Sequence, residues 1–266
     1  MSTRRPTRRH LLAAAAGTVL LAAGATTATA AVQTHDTPKP TVVLVHGAFA
    51  DGSSWSEVTT RLQSDGYKVV VPAVPLRGIA SDASYLSGVL AGISGPKVLV
   101  GHSYGGAEIT ELADTAGVKA LVYVNAYIPQ AGEMLGALTS QFPGSQIGPD
   151  TTDTITYPGG ADLVMKQGSF PGVFAAGLPA KEAASLAASQ RPVAAAVFGE
   201  PVQKSAPASI PKYAVVSSGD KAIPPAAERF MAKRAGATIV EVNAPHLVML
   251  SQPDTVTKLI EKAAKN

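Results

Sequence analysis

The 266-residue sequence contains no cysteine, a single tryptophan and few charged residues. Without cysteine the chain can form no disulfide, no thiolate metal site and no cysteine nucleophile. Charged residues make up 15% of the sequence and hydrophobic residues 46%, a balance that excludes global disorder and suffices for a sizeable core. The composition therefore indicates a globular domain.

The basic excess of the sequence is concentrated at its N-terminus. The formal net charge is +3, from 22 basic and 19 acidic side chains. Four arginines lie within the first nine residues, and the first acidic residue is Asp36. Removal of residues 1–30 leaves 18 basic against 19 acidic side chains, a net charge of −1. The rest of the chain lacks the positive charge typical of nucleic-acid binding, so we expect no nucleic-acid partner.

Residues 1–30 have the pattern of an export signal. A basic segment ends at Arg9, an apolar segment runs from about Leu11 to Ala25, and A-T-A over 28–30 offers small residues for cleavage. The segment T-R-R-H-L-L over 7–12 resembles a twin-arginine signal. A retained membrane anchor is disfavoured, because about 15 apolar residues span only roughly 22 Å of the ~30 Å hydrocarbon core. We expect a secreted protein with no stable membrane anchor after cleavage, and a linker over 31–40.

From Thr41 onward, short apolar segments alternate with segments of helical periodicity. The predicted strands are Thr41–Val45, Lys68–Val71, Lys97–Val100, Ala120–Val124, Lys212–Ser217 and Thr238–Val242. The predicted helices are Ser54–Ser64, Ser81–Ile93, Gly105–Thr115, Ala226–Arg234 and Pro253–Ala264. Continuous apolar strands alternating with helices predict an α/β domain over 41–266, with a mostly parallel sheet of about six or more strands and helices on both faces.

The alternation is interrupted once, over about 127–211. This segment is rich in glycine and proline, shows no clear strand and contains one good helix near Pro179–Gln190. Some 80 residues are too many for a loop inside a compact domain. We therefore predict an inserted lid.

The strongest chemical signal is G-H-S-Y-G over 101–105, a G-x-S-x-G motif between a predicted strand and a predicted helix. A serine on such a cramped turn is typical of a nucleophile elbow, in which glycines leave room for the close backbone and the helix N-terminus favours developing negative charge. The alternative is an ordinary glycine-rich turn. We predict that Ser103 is a nucleophile.

A serine nucleophile needs a base, and elimination among five histidines points to His246. His10 and His35 lie in the leader and linker, His102 lies inside the elbow, and His46 follows the first strand. His246 follows the last predicted strand, where it can face the carboxyl end of the sheet.

A carboxylate is needed to orient the base. Asp220 follows the strand before His246, so it can reach the same end of the sheet. A helix-capping role is the alternative for Asp220, and Asp254 or Glu241 is the next candidate for the carboxylate.

The loop after the first strand is the candidate for binding an oxyanion. Gly47 permits a tight turn there, and the backbone amides of Ala48 and Tyr104 are the predicted donors, with Phe49 as the alternative to Ala48. Phe49, Trp55 and Leu247 are candidate substrate contacts, although core packing is an equal or better explanation for Trp55. Hydrophobic residues of the lid are further pocket candidates: Met165, Phe170, Phe174, Leu178 and Phe198.

No metal-binding or nucleotide-binding motif is present in the sequence, so we predict neither a metal nor another cofactor.

Taken together, these motifs resemble those of the α/β-hydrolase superfamily over roughly 41–265. H-G-A over 46–48 with Trp55, G-H-S-Y-G-G over 101–106, D-K-A-I-P-P over 220–225 and His246 resemble the branch that holds plant methylesterases, hydroxynitrile lyases and bacterial esterases. The resemblance implies a Ser-His-Asp mechanism on small, fairly apolar esters beneath a lid. The lyases of that branch carry a lysine directly after the catalytic histidine, whereas this chain has Leu247, which favours hydrolysis.

The leading hypothesis is an exported serine esterase that acts on small carboxylic esters through an acyl-Ser103 intermediate. A cofactor-free perhydrolase or a lyase could use the same site. A non-catalytic ligand-binding protein is the alternative of a different class. The sequence does not indicate the oligomeric state.

Overall fold

The computed structural model describes residues 38–266, so the predicted export signal and most of the predicted linker lie outside the described residues. Within them the strands are β1 (Thr41–Val45), β2 (Val69–Val70), β3 (Lys97–Ser103), β4 (Val118–Ala126), β5 (Thr152–Tyr157), β6 (Gly160–Met165), β7 (Val193–Ala194), β8 (Lys212–Ser217) and β9 (Thr238–Val242). The helices are α1 (Ser56–Ser64), α2 (Ile79–Ala91), α3 (Gly105–Glu111), α4 (Leu135–Ser140), α5 (Phe170–Val173), α6 (Ala180–Ser189), α7 (Pro225–Arg234), α8 (Val248–Ser251) and α9 (Pro253–Ala264). Short 3₁₀ turns cover Gly52–Trp55 and Ala195–Gly199.

Six strands form one parallel sheet in the order β2-β1-β3-β4-β8-β9, which confirms the predicted α/β class. Every residue of β1, β3 and β8 is buried, because both faces of these strands are covered. Strands β1, β8 and β9 have the predicted bounds, and β2 is shorter than predicted. Strand β3 runs three residues further than its apolar segment, because pairing with β4 continues as far as Ser103.

Helices cover the sheet in two groups. Helices α1 and α9 pack against each other, and α9 lies on β3, β4 and β8. Helices α2 and α3 also pack against each other, and α3 lies on β1, β3 and β4. Across residues 38–266, no helix is both long enough and apolar enough to cross a bilayer.

Helix α2 begins two residues before its predicted start. The carboxylate of Glu200 accepts hydrogen bonds from the amides of Ile79 (2.8 Å) and Ala80 (2.9 Å). These amides have no partner within the helix, so an acidic side chain 120 residues away stabilises its first turn.

The inserted segment over 127–211 contains a three-stranded antiparallel sheet in the order β5-β6-β7, so the prediction that it contains no clear strand is wrong. Strand β5 is largely exposed and has the polar sequence T-D-T-I-T-Y, which lacks the apolar run expected of a buried strand. Pairing of Tyr157 with Gly160 closes a tight hairpin around Pro158 and Gly159. The glycine-containing turn was the available signal for a hairpin.

The loops that follow β1, β3, β8 and β9 meet at one edge of the sheet, because parallel strands all end on the same side. A side chain at Gly219, after β8, would come within 2.8 Å of the carbonyl oxygen of Ala244, after β9. This convergence brings together side chains more than a hundred positions apart in sequence.

Candidate active site

Ser103 ends β3 in a strained backbone conformation. Its φ of 53° lies in the left-handed region, which costs a non-glycine residue of the order of 1–3 kcal/mol. A Cβ at Gly101 would lie 2.4 Å from the carbonyl oxygen of Gly105, so the turn tolerates only glycine there. The strand-turn-helix geometry is that predicted for a nucleophile elbow, with α3 beginning directly after the turn.

His246 and Asp220 form a buried hydrogen-bonded pair. The Nδ1 of His246 lies 2.6 Å from the Oδ2 of Asp220, and both side chains are fully buried. The Oδ1 of Asp220 accepts hydrogen bonds from the amides of Ala222 (2.7 Å) and Ile223 (3.0 Å). Because Nδ1–H donates to Asp220, the imidazole keeps its lone pair on Nε2, which has no partner among the described residues.

The two alternative carboxylates lie elsewhere, on the surface. Glu241 is 2.8 Å from Arg229, and Asp254 is 2.6 Å from Arg61. Asp220 is therefore the one of the three candidates that the fold brings to His246.

Two side chains beside Ser103 anchor the loop that carries His246. The Nε2 of His102 donates to the carbonyl oxygen of His246 (3.1 Å), and the two imidazole centroids are 4.6 Å apart. The Nδ2 of Asn125 donates to the same oxygen and to that of Pro245, both at 3.0 Å. Ser103 and His246 thus belong to one connected site, although their side chains are not hydrogen-bonded to each other in this structure. Such bonds often tighten only when substrate binds.

Asn125 was missed by the sequence analysis. The pairing of β3 with β4 shifts register between His102 and Ser103, so that Asn125 becomes an extra residue in β4 with a φ of 44°. Bulges of this kind redirect a side chain near a functional site. Here the bulge directs the Asn125 amide towards the His246 loop.

His46 holds the loop after β1 and does so as a neutral imidazole. Its Nε2 accepts a hydrogen bond from the amide of Val74 (3.0 Å), so the proton is on Nδ1, which lies 3.0 Å from the carbonyl oxygen of Gly47. Burial lowers the pKa of His46 below its ordinary value.

The loop held by His46 lies directly against Ser103. A Cβ at Gly47 would be 2.7 Å from the Cβ of Ser103, so glycine alone fits. Within residues 38–266, the amides of Ala48, Phe49 and Tyr104 donate no hydrogen bond to the protein. The predicted oxyanion donors are therefore unengaged.

An aromatic cluster from the inserted segment covers His246. The Phe174 ring meets the imidazole edge-on with centroids 4.6 Å apart, and it also packs against Phe49 and Phe170. Leu247 is buried beneath this cluster, and its amide donates to the carbonyl oxygen of Phe174 (3.0 Å). Phe49 thus contacts the ring that covers the imidazole, and Leu247 follows His246 directly in the chain.

Trp55 lies in the core instead. Its side chain is fully buried with the indole 6.4 Å from the His102 ring, and it lines neither of the two cavities described for residues 38–266. This corrects the expectation that Trp55 contacts substrate.

A cavity of about 840 Å³ lies between the inserted segment and the sheet edge. Two of its lining residues adjoin the site: the amide of Tyr127 donates to the Ser103 carbonyl oxygen (3.2 Å), and Ala222 binds Asp220. The rest of the wall combines glycine, proline and polar residues with five apolar side chains: Phe142, Ile147, Leu163, Ala195 and Phe198. Ser103, Asp220 and His246 do not line this cavity. Of the predicted lid residues, Phe198 lines this cavity, and Phe170 lines a second, much smaller crevice beside Phe49 and Leu247.

A second carboxyl group, Glu228 of α7, lies beside the Asp220–His246 pair. It is 2% exposed, and its ligand-type atoms lie within 4.8 Å of those of Asp220 and His246. These three form the one group of metal-capable side chains found among the described residues. The contact of 2.6 Å between Nδ1 and Oδ2 is a hydrogen bond, which an ion placed between the two atoms would break.

Comparison with known proteins identifies the family of the chain. The model of the alpha/beta hydrolase family matches residues 42–259. The chain belongs to the alpha/beta hydrolase family. It is 34% identical over 110 residues to the carbendazim hydrolyzing esterase of Nocardioides sp. (strain SG-4G), covering 36% of this chain and 46% of that protein. It is 32% identical over 106 residues to the pyrethroid hydrolase of Sphingobium wenxiniae, covering 34% and 37%.

These matches span less than half the length of the curated relatives. Solved structures of similar fold include polyneuridine aldehyde esterase, with a TM-score of 0.72, 21% identity, and coverage of 85% of this chain and 99% of that one. Tomato methylketone synthase I complexed with 2-tridecanone gives a TM-score of 0.73 at 20% identity, covering 86% and 99%. These structures share the alpha/beta hydrolase fold with this chain.

Proposed function

We propose that this protein is a serine carboxylesterase, with Ser103 as nucleophile, His246 as general base and Asp220 as the carboxylate that orients the base. The observation that carries the proposal is the buried Asp220–His246 hydrogen bond of 2.6 Å, on a loop that is anchored by His102, the residue next to Ser103. The relatives named as a carbendazim hydrolyzing esterase and a pyrethroid hydrolase support a hydrolytic reaction.

In the proposed acylation step, Nε2 of His246 removes the proton from Ser103 as Oγ attacks the ester carbonyl carbon. The resulting imidazolium is stabilised by Asp220. The tetrahedral intermediate collapses, the bond to the alkoxy group breaks, and His246 gives its proton to the departing alcohol. In deacylation His246 activates water in the same way, releasing the acid and restoring Ser103.

The oxyanion of each tetrahedral intermediate would be bound by the amides of Ala48 and Tyr104. The absence of protein acceptors for these amides, within the described residues, supports this role. A single oxyanion donor is worth about 10²–10³-fold in kcat. Phe49 remains the alternative to Ala48, because its amide is also unengaged.

The cavity supports apolar esters of small to moderate size as the substrate class. Its volume of about 840 Å³ lies in the range of small-molecule sites, and its wall carries two phenylalanines. We expect the longer substituent of the ester to occupy the cavity beyond Tyr127 and Ala222.

The decisive experiment is the substitution Ser103→Ala, assayed with a short-chain nitrophenyl ester. We expect kcat to fall by at least about 10⁴-fold with an unchanged Tm, because the remaining site lacks a nucleophile. Ser64→Ala, an exposed serine in α1, is the matched control and should retain full activity. Retained turnover in the Ser103 variant would contradict the proposal.

Two further assays of the wild-type protein separate the alternatives. Hydrolysis of nitrophenyl ester without peracid formation from acetate and peroxide favours the esterase over the perhydrolase. Labelling of Ser103 by a fluorophosphonate argues against a non-catalytic ligand-binding protein. A lyase is disfavoured by Leu247, which is buried and cannot donate a proton.

We further propose that the protein is exported and that residues 1–30 are its twin-arginine signal. The support is the arrangement of Arg8 and Arg9 directly before an apolar segment that contains no charged side chain.

A further inference from the structure

Glu228 has a place in the site that the proposed esterase mechanism does not use. It lies in the first turn of α7, directly after the loop that carries Asp220, and its side chain is buried behind that loop. Among the described residues, no hydrogen bond reaches either of its carboxyl oxygens. An unpartnered carboxyl group in a water-excluded site is costly unless it is neutral or finds a donor or acceptor nearby.

The surroundings of Glu228 offer it little positive charge. Asp220 and His246 face it from the loops after β8 and β9, and the phenol of Tyr127 lies near both carboxyl groups at the end of β4. Arg229 on the same helix contributes positive charge to Glu228, but its guanidinium is engaged by Glu241 at 2.8 and 2.9 Å. Asp220 and Glu228 therefore share one buried space without a full positive charge to balance both.

Two carboxyl groups in such a space retain one proton between them. Asp220 accepts three hydrogen bonds, from two amides and the imidazole, which stabilise its ionised form. The backbone of Ser217 favours the ionised form of Glu228, but burial, followed by the charge on Asp220, outweighs it and raises the pKa of Glu228 well above its ordinary value.

We propose that Glu228 is a positioning residue of the active site, which carries a proton at neutral pH and donates it in a hydrogen bond to the carboxylate of Asp220. This inference rests on the proposed esterase function. The bond gives Asp220 a fourth donor and draws part of its negative charge away from His246. Glu228 thereby limits how strongly Asp220 favours the imidazolium over the neutral imidazole.

The first test compares Glu228→Met and Glu228→Gln by the pH profile of kcat/KM. Methionine has similar size but donates nothing, so Asp220 should attract the imidazolium more strongly. We expect the acidic limb to move upward by about half to one pH unit. Glutamine is neutral and donates N–H groups, so it should restore the limb towards its wild-type position.

The matched control is Glu182→Gln, because Glu182 occupies the first turn of α6 but is exposed. It should leave the profile unchanged. A downward shift in Glu228→Gln would mean that the wild-type residue is ionised and would overturn the proposal. An unshifted limb in Glu228→Met would also overturn it, because it would reduce Glu228 to a packing residue.

A second measurement does not depend on activity. The infrared difference spectrum of wild type minus Glu228→Gln at pH 7 should contain the carbonyl stretch of a protonated carboxylic acid. A carboxylate doublet in its place would overturn the proposal. The same spectrum taken in the Ser103→Ala background separates the two hypotheses, since the state of Glu228 can be determined even if no ester is hydrolysed.

Discussion

Because Gly47 has no Cβ, the loop after β1 can lie directly against Ser103. A Cβ there would be 2.7 Å from the Cβ of Ser103 and 3.0 Å from the His102 carbonyl oxygen. We therefore expect Gly47→Ala to push the Ala48 amide away from the oxyanion position and to lower kcat by about 10²–10³-fold. Overpacking should cost about 1–3 kcal/mol of stability. Steady-state kinetics and thermal unfolding measure the two effects.

Gly88→Ala provides the control for this substitution. Gly88 lies exposed in α2, and a Cβ there meets no atom within 4 Å. Alanine should raise the free energy of unfolding by about 0.5–1 kcal/mol, because it lowers the backbone entropy lost on folding, and should leave kcat unchanged. If Gly47→Ala retained wild-type kcat, the loop could not supply the oxyanion donor.

The residues brought together at the sheet edge were predictable to different degrees. Ser103 is marked by a motif with local physical requirements, and His246 and Asp220 by their places after strands. Asn125 and Glu228 carry no such signal, because their importance arises from a bulge and from a buried neighbour. Contacts that depend on register and tertiary packing leave little trace in local sequence.

At the level of elements, α2 and α3 enclose two buried acids that the mechanism does not use. Asp82 of α2 accepts a hydrogen bond from the hydroxyl of Tyr104 (2.9 Å), while the carboxyl oxygens of Glu108 in α3 accept none among the described residues. Burial, followed by the charge on Asp82, raises the pKa of Glu108 well above the ordinary 4.5. Glu108 is therefore protonated in the folded protein at pH values where the unfolded chain is ionised.

Glu108→Gln should for this reason change how stability depends on pH. In wild type the unfolded state releases the Glu108 proton above about pH 4.5 while the folded state keeps it, so stability declines as pH rises towards the folded pKa. Glutamine removes this decline. We expect the Tm of the variant minus the Tm of wild type to increase from pH 5 to pH 8. The increase should be about 2–4 °C for each kcal/mol of unfolding free energy that wild type loses over this range.

Thermal unfolding of both proteins at several pH values provides the test. Below about pH 3.5 the Tm difference should be smallest, because the glutamate is then almost entirely neutral in both states. A Tm difference that stays constant across the range would mean that Glu108 does not titrate differently in the two states, and the predicted linkage would be wrong.

The elements themselves differ in how well the sequence indicates them. Strands β1 and β8 form continuous apolar runs, and helix α9 begins at Pro253, so their bounds could be predicted closely. Strand β5 is polar and exposed, so its stability depends on pairing with β6, which no local pattern reveals. The start of α2 depends on Glu200, which is distant in sequence. In both cases a partner from another segment determines the local structure.

For the whole molecule, the positive net charge is confined to the segment that is proposed to direct export. The arginines near the N-terminus account for the positive net charge, and the remainder of the chain has a net charge of −1. The four N-terminal arginines therefore lie outside the described fold, and the core of that fold does not include them. This separation is typical of a targeting segment joined to an independent domain.

The arginine pairs of this segment allow a matched test of the route. Arg8→Lys with Arg9→Lys preserves charge but removes the twin-arginine pair, whereas Arg4→Lys with Arg5→Lys makes the same chemical change outside it. In a bacterial host, we expect the first double variant to retain esterase activity inside the cell as uncleaved protein, and the second to be exported like wild type. Fractionation with activity assays and mass measurement distinguishes the two. Equal export of both variants would exclude the twin-arginine route, because a general secretory signal requires only positive charge at these positions.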